Sequence, residues 1–337
     1  MSYYKPTMKK LLALLTIPLI ASAAEPHVFQ GSIERFDPAF DALVAPDAKI
    51  EKLAEGFHWS EGPTWFEGGV VFSDVPENIA YRWQEGSTKA EIFLKPSGLS
   101  TPTEGFREQG SNGLSHDAEG HLILCQHGDR RIARMIAPGK FETIADRYDG
   151  KRFSSPNDLA IRKNGDIYFT DPPYGLDKLN DSPLKEMPFN GVYRVTPGKP
   201  VALVVKDLTF PNGIAFSPDE KILYIAVSDP AATRIVACDV KDDGSVGEGR
   251  TFFDAEPLKK PELKGACDGM KVDTAGNLWS TGPGGVLVIS PAGKLLGRIL
   301  TGEPTGNCTW GDDGSSLYIT ANMFLLRVKT KAHGARW

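Results

Sequence analysis

The sequence predicts an all-β chain folded as a six-bladed β-propeller, with an N-terminal strand completing the last blade. Three observations lead there. Short apolar runs alternate with Gly, Asp and Asn turns, and no long stretch carries helical periodicity. One unit recurs six times. The last copy lacks an outer strand, and a lone strand of that kind stands near the start.

Taken in chain order, Lys9 and Lys10 precede an apolar run from Leu11 to Ile20 and then Ala21, Ser22, Ala23 and Ala24. The run is too short to span a bilayer comfortably, and small side chains suit a signal peptidase. Residues 1–23 therefore read as a secretory leader and 24–337 as one propeller domain, periplasmic or secreted. No second long apolar run or lipid-anchor cysteine follows, so no membrane association is expected after cleavage.

Residues 48–56, "AKIEKLAEG", read as the displaced outer strand. The six units then begin at "EGPTWFEGGVVFSD", "SNGLSHDAEGHLILCQ", "PNDLAIRKNGDIYFTD", "PNGIAFSPDEKILYIAVSD", "CDGMKVDTAGNLWSTG" and "GNCTWGDDGSSLYITA". Each supplies an inner strand, a turn and a second strand. Third strands follow at "AYRW", "RIARM", "GVYRV", "RIVACDV", "VLVIS" and "FLLRV". Outer strands follow at "KAEIFL", "KFETIA", "PVALVVKDL", "GRTFFD" and "GKLLGRIL", leaving the sixth unit for residues 48–56. Two β-sandwich domains would explain neither the repeat nor the displaced strand.

Composition narrows the function. A net charge of -5, from 38 basic and 43 acidic residues spread along the chain, leaves no basic stripe for nucleic acid. Cys125, Cys238, Cys267 and Cys308 form no CxxC and read as buried small hydrophobes. Cys267 and Cys308 occupy similar registers of neighbouring repeats and are the pair to inspect for a disulfide. No Rossmann glycine pattern or P-loop points to a nucleotide, and oligomeric state is not legible.

Eight residues before the turn glycines Gly69, Gly120, Gly165 and Gly276 stand Glu61, Asn112, Asn157 and Asp268. In the fourth unit Glu220 takes the glycine's place and the same offset reaches Asn212; in the sixth, Gly314 points back to Gly306. Asn and Asp commonly start strands by satisfying nearby backbone. Five polar side chains on one axis, two of them carboxylates, call instead for a positive partner. Oxygen ligands without His or Cys suit calcium, magnesium or manganese, and zinc is compatible through the carboxylates.

With these residues in order, the chain resembles the SMP-30/gluconolactonase family, six-bladed metal-dependent lactonases related in architecture to paraoxonases and diisopropyl-fluorophosphatases. The resemblance rests on "SEGPTW", "SPNDL", "DPPYG", "FPNGIAFSPD" and "CDGMKVD" and extends from about Ile50 to Val328. It implies one divalent ion, calcium first, held by Glu61, Asn157, Asn212 and Asp268, with Asn157 reaching it through water. Asp268 is then the family's candidate base or nucleophile. A divalent ion can polarise a lactone carbonyl beside a carboxylate that takes a proton, although a carboxylate committed to the ion is a poor base. No GxSxG elbow or Cys-His pair competes.

Further candidates for substrate contact are Asn112, on the same rim, Asn157, His127 in "CQHGDRR", Arg130 and Tyr174 in "DPPYG". Structural readings stand beside them: a packed His, a surface ion pair, a Pro-rich turn. Two insertions, "PSGLSTPTEGFREQG" before Asn112 and "GLDKLNDSPLKEMPFN" after Tyr174, are placed to shape a pocket or its lid. An exported lactonase would meet sugar lactones such as gluconolactone. The alternatives are hydrolysis of another ester, acyl lactone or phosphotriester on the same scaffold, or a non-enzymatic binding propeller with structural calcium.

Overall fold

The computed structural model describes Met1 and residues 27–335; the leader expected over residues 1–23 lies outside these apart from Met1. From the axis outward, blade one is Ser60–Phe66, Gly69–Asp74, Ile79–Gln84 and Glu91–Leu94. Blade two is Ser111–His116, Leu122–Gln126, Arg131–Ala137 and Lys140–Ala145, and blade three Leu159–Ile161, Ile167–Asp171, Gly191–Val195 and Ala202–Val205. Blade four is Pro211–Phe216, Ile222–Val227, Arg234–Asp239 and Arg250–Asp254, and blade five Met270–Val272, Leu278–Gly282, Gly285–Ile289 and Leu295–Leu300. Blade six is Thr305–Gly311, Ser316–Ala321 and Phe324–Lys329, completed by Ile50–Glu55 running antiparallel to Phe324–Lys329. The six inner strands touch in cyclic order, closing the ring.

Second strands read as continuous apolar runs because each blade is sandwiched between two others. Val70 and Phe72 pack on Tyr318 and Leu325 of blade six, while Val71 packs on Leu114, Leu122 and Leu124 of blade two. Both faces of the strand leave water, which is what an unalternating run of this length requires.

Two features of the N-terminus go beyond the predicted closure. Ser32–Arg35 adds a fifth strand to blade five along Leu295–Leu300, and His27–Val28 adds one to blade six along Ile50–Glu55. Between these strands and Ile50 a short 3-10 turn, Pro38–Ala42, is capped by Asp37, whose Oδ1 accepts from Ala39 N at 2.8 Å. Its Phe40 is fully buried. The ring fills the space that a side chain on Gly297 would occupy, so the strap is anchored between the last two blades. Covering these outer edges also removes unpaired strand from solvent.

The turn alignment needs one correction. In blade one the left-handed residues are Glu67 (φ 48°) and Gly68 (φ 76°), with Gly69 already opening the second strand. Glu61 is nonetheless equivalent to Asn112, because this hairpin is one residue shorter: Ser60 pairs with Asp74 as Ser111 pairs with Gln126. Glu220 holds the left-handed place in blade four (φ 59°), where its carboxylate accepts from Arg162 Nε at 3.1 Å and Lys163 N at 2.9 Å. All four cysteines are buried and unbridged, as small hydrophobes, so Cys267 and Cys308 form no disulfide.

Candidate metal centre and active site

The register residues stand at the axial ends of the inner strands, and a glycine follows four of them for a steric reason. A Cβ at Gly62 would lie 2.0 Å from Asn112 O, and one at Gly213 would lie 2.1 Å from Asp268 O. Gly62, Gly113 and Gly213 each pass the main chain of the next blade and Gly269 passes the Asn307 side chain, so none of these four gaps admits a side chain. Blade three departs from this with Asp158 after Asn157, and blade six inverts it with Gly306 before Asn307.

Local hydrogen bonds aim the side chains. Glu61 Oε2 accepts from Gly62 N at 2.8 Å, and Asp158 Oδ1 accepts from Leu159 N at 2.8 Å. Asn212 Nδ2 donates to Ser228 Oγ at 2.9 Å, and Ser228 in turn donates to Cys267 O at 2.5 Å. With its nitrogen engaged, Asn212 presents its oxygen. The segment leading into Asn157 is fixed by buried Asp171, which accepts from Ser154 N and Ser155 N at 2.8 Å each.

Below the rim, Asn307 Oδ1 accepts from Cys308 N at 2.9 Å, which orients its Nδ2 as a donor to Asp158 Oδ2 at 3.2 Å. The same amide also supports Glu61. The cavity of about 530 Å³ farther along the axis is walled largely by apolar groups such as Leu114, Leu159 and Ile214; the oxygen cluster does not line it.

Electrostatically the rim is strained by negative charge. Burial raises the pKa of Asp268, and the neighbouring charges of Glu61, Asp158 and Glu108 raise it further. Burial likewise raises Glu61, partly offset by the Gly62 N–H and then augmented by Asp158. Asp158 is raised by burial, with Lys271 and its hydrogen bonds opposing the shift. Such clustering favours a proton or a cation. Two buried oxygens, Asn157 Oδ1 and Asn112 Oδ1, also have no hydrogen-bond partner. Two carboxylates with amide oxygens, some of them otherwise unpaired, fit a hard divalent cation. Glu61 is 2% exposed, whereas Asp268 is only half-buried and can meet an incoming molecule.

The remaining candidates divide. Tyr174 stacks on Phe210 at 5.7 Å, and its hydroxyl is raised first by burial and then by the charge of Asp268, which sets it near that carboxylate. His127 is fully buried with neither ring nitrogen in a well-aligned hydrogen bond; the Glu108 main chain lies beside it, and burial pushes it down to about 3, leaving it neutral. Arg130 turns away to Phe153 O at 2.6 Å and Glu186 at 3.5 Å.

The chain matches the SMP-30/Gluconolactonase/LRE-like region over residues 59–323. It belongs to the SMP-30/gluconolactonase/LRE-like family. Within this family it is similar to a gluconolactonase of Zymomonas mobilis, 40% identical over 314 residues, covering 90% of this chain and 87% of that protein. It is similar also to the pentonolactonase XacC of Haloferax volcanii, 32% identical over 77% of this chain and 80% of the relative. A solved gluconolactonase from Xanthomonas campestris superposes with a TM-score of 0.78 at 32% identity, covering 92% of this chain and 99% of that one.

Three residues around the site escaped the repeat reading: Asp158, Asn307 and Glu108. The first two had a signal, since they are where the polar-Gly pairing breaks. Glu108 had none, because it lies in an insertion that no other blade shares.

Proposed function

We propose that this chain is a metal-dependent lactonase that opens a sugar lactone such as glucono-δ-lactone, acting after export to the periplasm or the exterior. The observation that carries this reading is the convergence of Glu61 and Asp268 with the unpaired oxygens of Asn157 and Asn112 on one axis. The lactonase names among its relatives agree with it. Glu61, Asn157, Asn212 and Asp268 would hold the ion, calcium first, with magnesium, manganese and zinc as alternatives. A bound divalent ion there supplies Lewis acidity that polarises the lactone carbonyl and stabilises the oxyanion.

The side chains do the rest. Asn112 Oδ1 accepts from a substrate hydroxyl, and Tyr174 with Phe210 forms a flat wall against the ring. Glu61, sealed and hydrogen-bonded, stays a ligand. Asp268, the more open carboxylate, takes the proton as water adds to the carbonyl carbon. That proton returns to the ring oxygen when the C–O bond breaks, giving the hydroxy acid. The deciding test is acid release from glucono-δ-lactone by chelator-stripped protein, with calcium, magnesium, manganese and zinc restored singly. Turnover that returns with a metal is expected; turnover indifferent to chelation would overturn the reading.

A further inference from the structure

The two insertions join each other beside Tyr174. Asp177 N donates to Gly105 O at 2.9 Å, Arg107 N and Glu108 N donate to Gly175 O at 3.1 and 3.4 Å, and Phe106 pairs with Leu176. The joint is pressed against the propeller: a Cβ on Gly175 would come within 2.8 Å of His127 Cβ and Ser155 Cβ. Leu176 is fully buried beneath it. Glu108 is thereby set close to the Tyr174 wall, near enough for its charge to act on Tyr174, Asp268 and Glu61.

Among the described residues its carboxylate has one charged partner, Arg107 Nη2 at 3.2 Å, and that guanidinium is itself half in solvent. The Glu108 side chain keeps 15% of its surface exposed. An ionised carboxylate offers only acceptors and more lone pairs than one guanidinium nitrogen uses. What satisfies it best is a ligand rich in O–H donors. Burial raises this carboxyl to about 7, so at and above that pH its negative charge beside Tyr174 also disfavours an anionic ligand.

We propose that Glu108, carried to the site by the paired insertions, binds hydroxyls of the lactone and turns away lactones bearing a phosphate or a second carboxylate. This rests on the lactonase reading and defines its substrate class as neutral polyhydroxylated lactones. The insertions thus carry specificity, while the ring of inner strands carries the reaction.

The test compares glucono-δ-lactone, δ-valerolactone and 6-phosphogluconolactone at saturating calcium for wild type, Glu108→Gln and Glu108→Ala. In Glu108→Ala the ratio of kcat/KM for gluconolactone over valerolactone should fall about tenfold or more, mainly through KM, as loss of a charged hydrogen bond implies. Glu108→Gln should keep part of that ratio and gain on the phosphorylated lactone. Equal losses on all three lactones, or an unchanged ratio, would overturn the proposal. If wild type opens none of them, the lactonase reading fails by itself and calorimetric binding of glucono-δ-lactam decides. Binding that weakens in Glu108→Ala supports the hydroxyl role; equal or absent binding overturns it.

Discussion

A Cβ placed on Gly306 would stand 2.4 Å from Oε1 of Glu61. The one register position without a polar side chain is thus the place into which the neighbouring carboxylate extends. Glu61 reaches from blade one into blade six, and Asn307, next to Gly306, supports it. Gly306→Ala needs no unusual backbone and should displace chiefly Glu61, with Ser60 O at 3.3 Å the next atom the new Cβ would meet. Calcium affinity by titration calorimetry should fall about 10- to 100-fold, as disturbed support of a metal ligand generally costs. Unaltered affinity would mean that Glu61 is not a ligand.

Asp268→Asn separates holding the ion from moving the proton. The amide keeps an oxygen for the cation but cannot take a proton from water. Turnover of gluconolactone should drop about 10²- to 10⁴-fold, with a smaller loss of calcium affinity than in Asp268→Ala. If the Asn variant retains near-native kcat with calcium bound, Asp268 is a ligand only.

Burial pushes Asp171 and Glu108 each up to about 7, and Glu61, Asp158 and Asp268 are raised as well. In the unfolded chain such groups titrate at about 4. Between those values the metal-free folded protein binds more protons than the unfolded one, so its stability falls as pH rises. The Tm of chelator-treated protein should be lower at about pH 8 than at about pH 5, and calcium should raise Tm more at the higher pH. A metal-free Tm that climbs across this interval would contradict the crowding of these carboxylates. Asp117 and Asp312 have lowered pKa values, so the stability they add is lost only in more acid solution.

Phe40→Ala removes the anchor of the N-terminal strap. Its ring is fully buried against Gly297, with the Arg35 guanidinium 5.2 Å from its centroid. A fully buried Phe truncated to Ala typically costs about 3–5 kcal/mol. Urea unfolding should register most of that. A change below about 1 kcal/mol would show that the fifth strands add little to closure.

The register count found Glu61, Asn112, Asn157, Asn212 and Asp268 because strand order repeats, and equivalent offsets along a repeat reach equivalent places around an axis. It reached Glu61 although Gly69 is not the turn glycine, since the shorter hairpin and the misplaced glycine cancel. The closing strand was equally legible as a surplus outer strand at one end and a missing one at the other. The strap was not, because "SIER" is too short to carry a period and its partner lies more than two hundred residues away in sequence.

What the sequence determined by itself is whatever repeats: six blades, their strand order, their closure and the ring of oxygens at one register. Periodicity is a property of the chain, so it can be counted along the chain. Only the tertiary structure decided which way side chains face at the places where the repeat breaks. It turned Arg130 to Phe153 and Glu186, enclosed His127, put Asp158 and Asn307 under Glu61, and brought Glu108 to Tyr174 by joining two insertions. Those outcomes depend on close approach between segments remote in sequence, and no local pattern records such an approach.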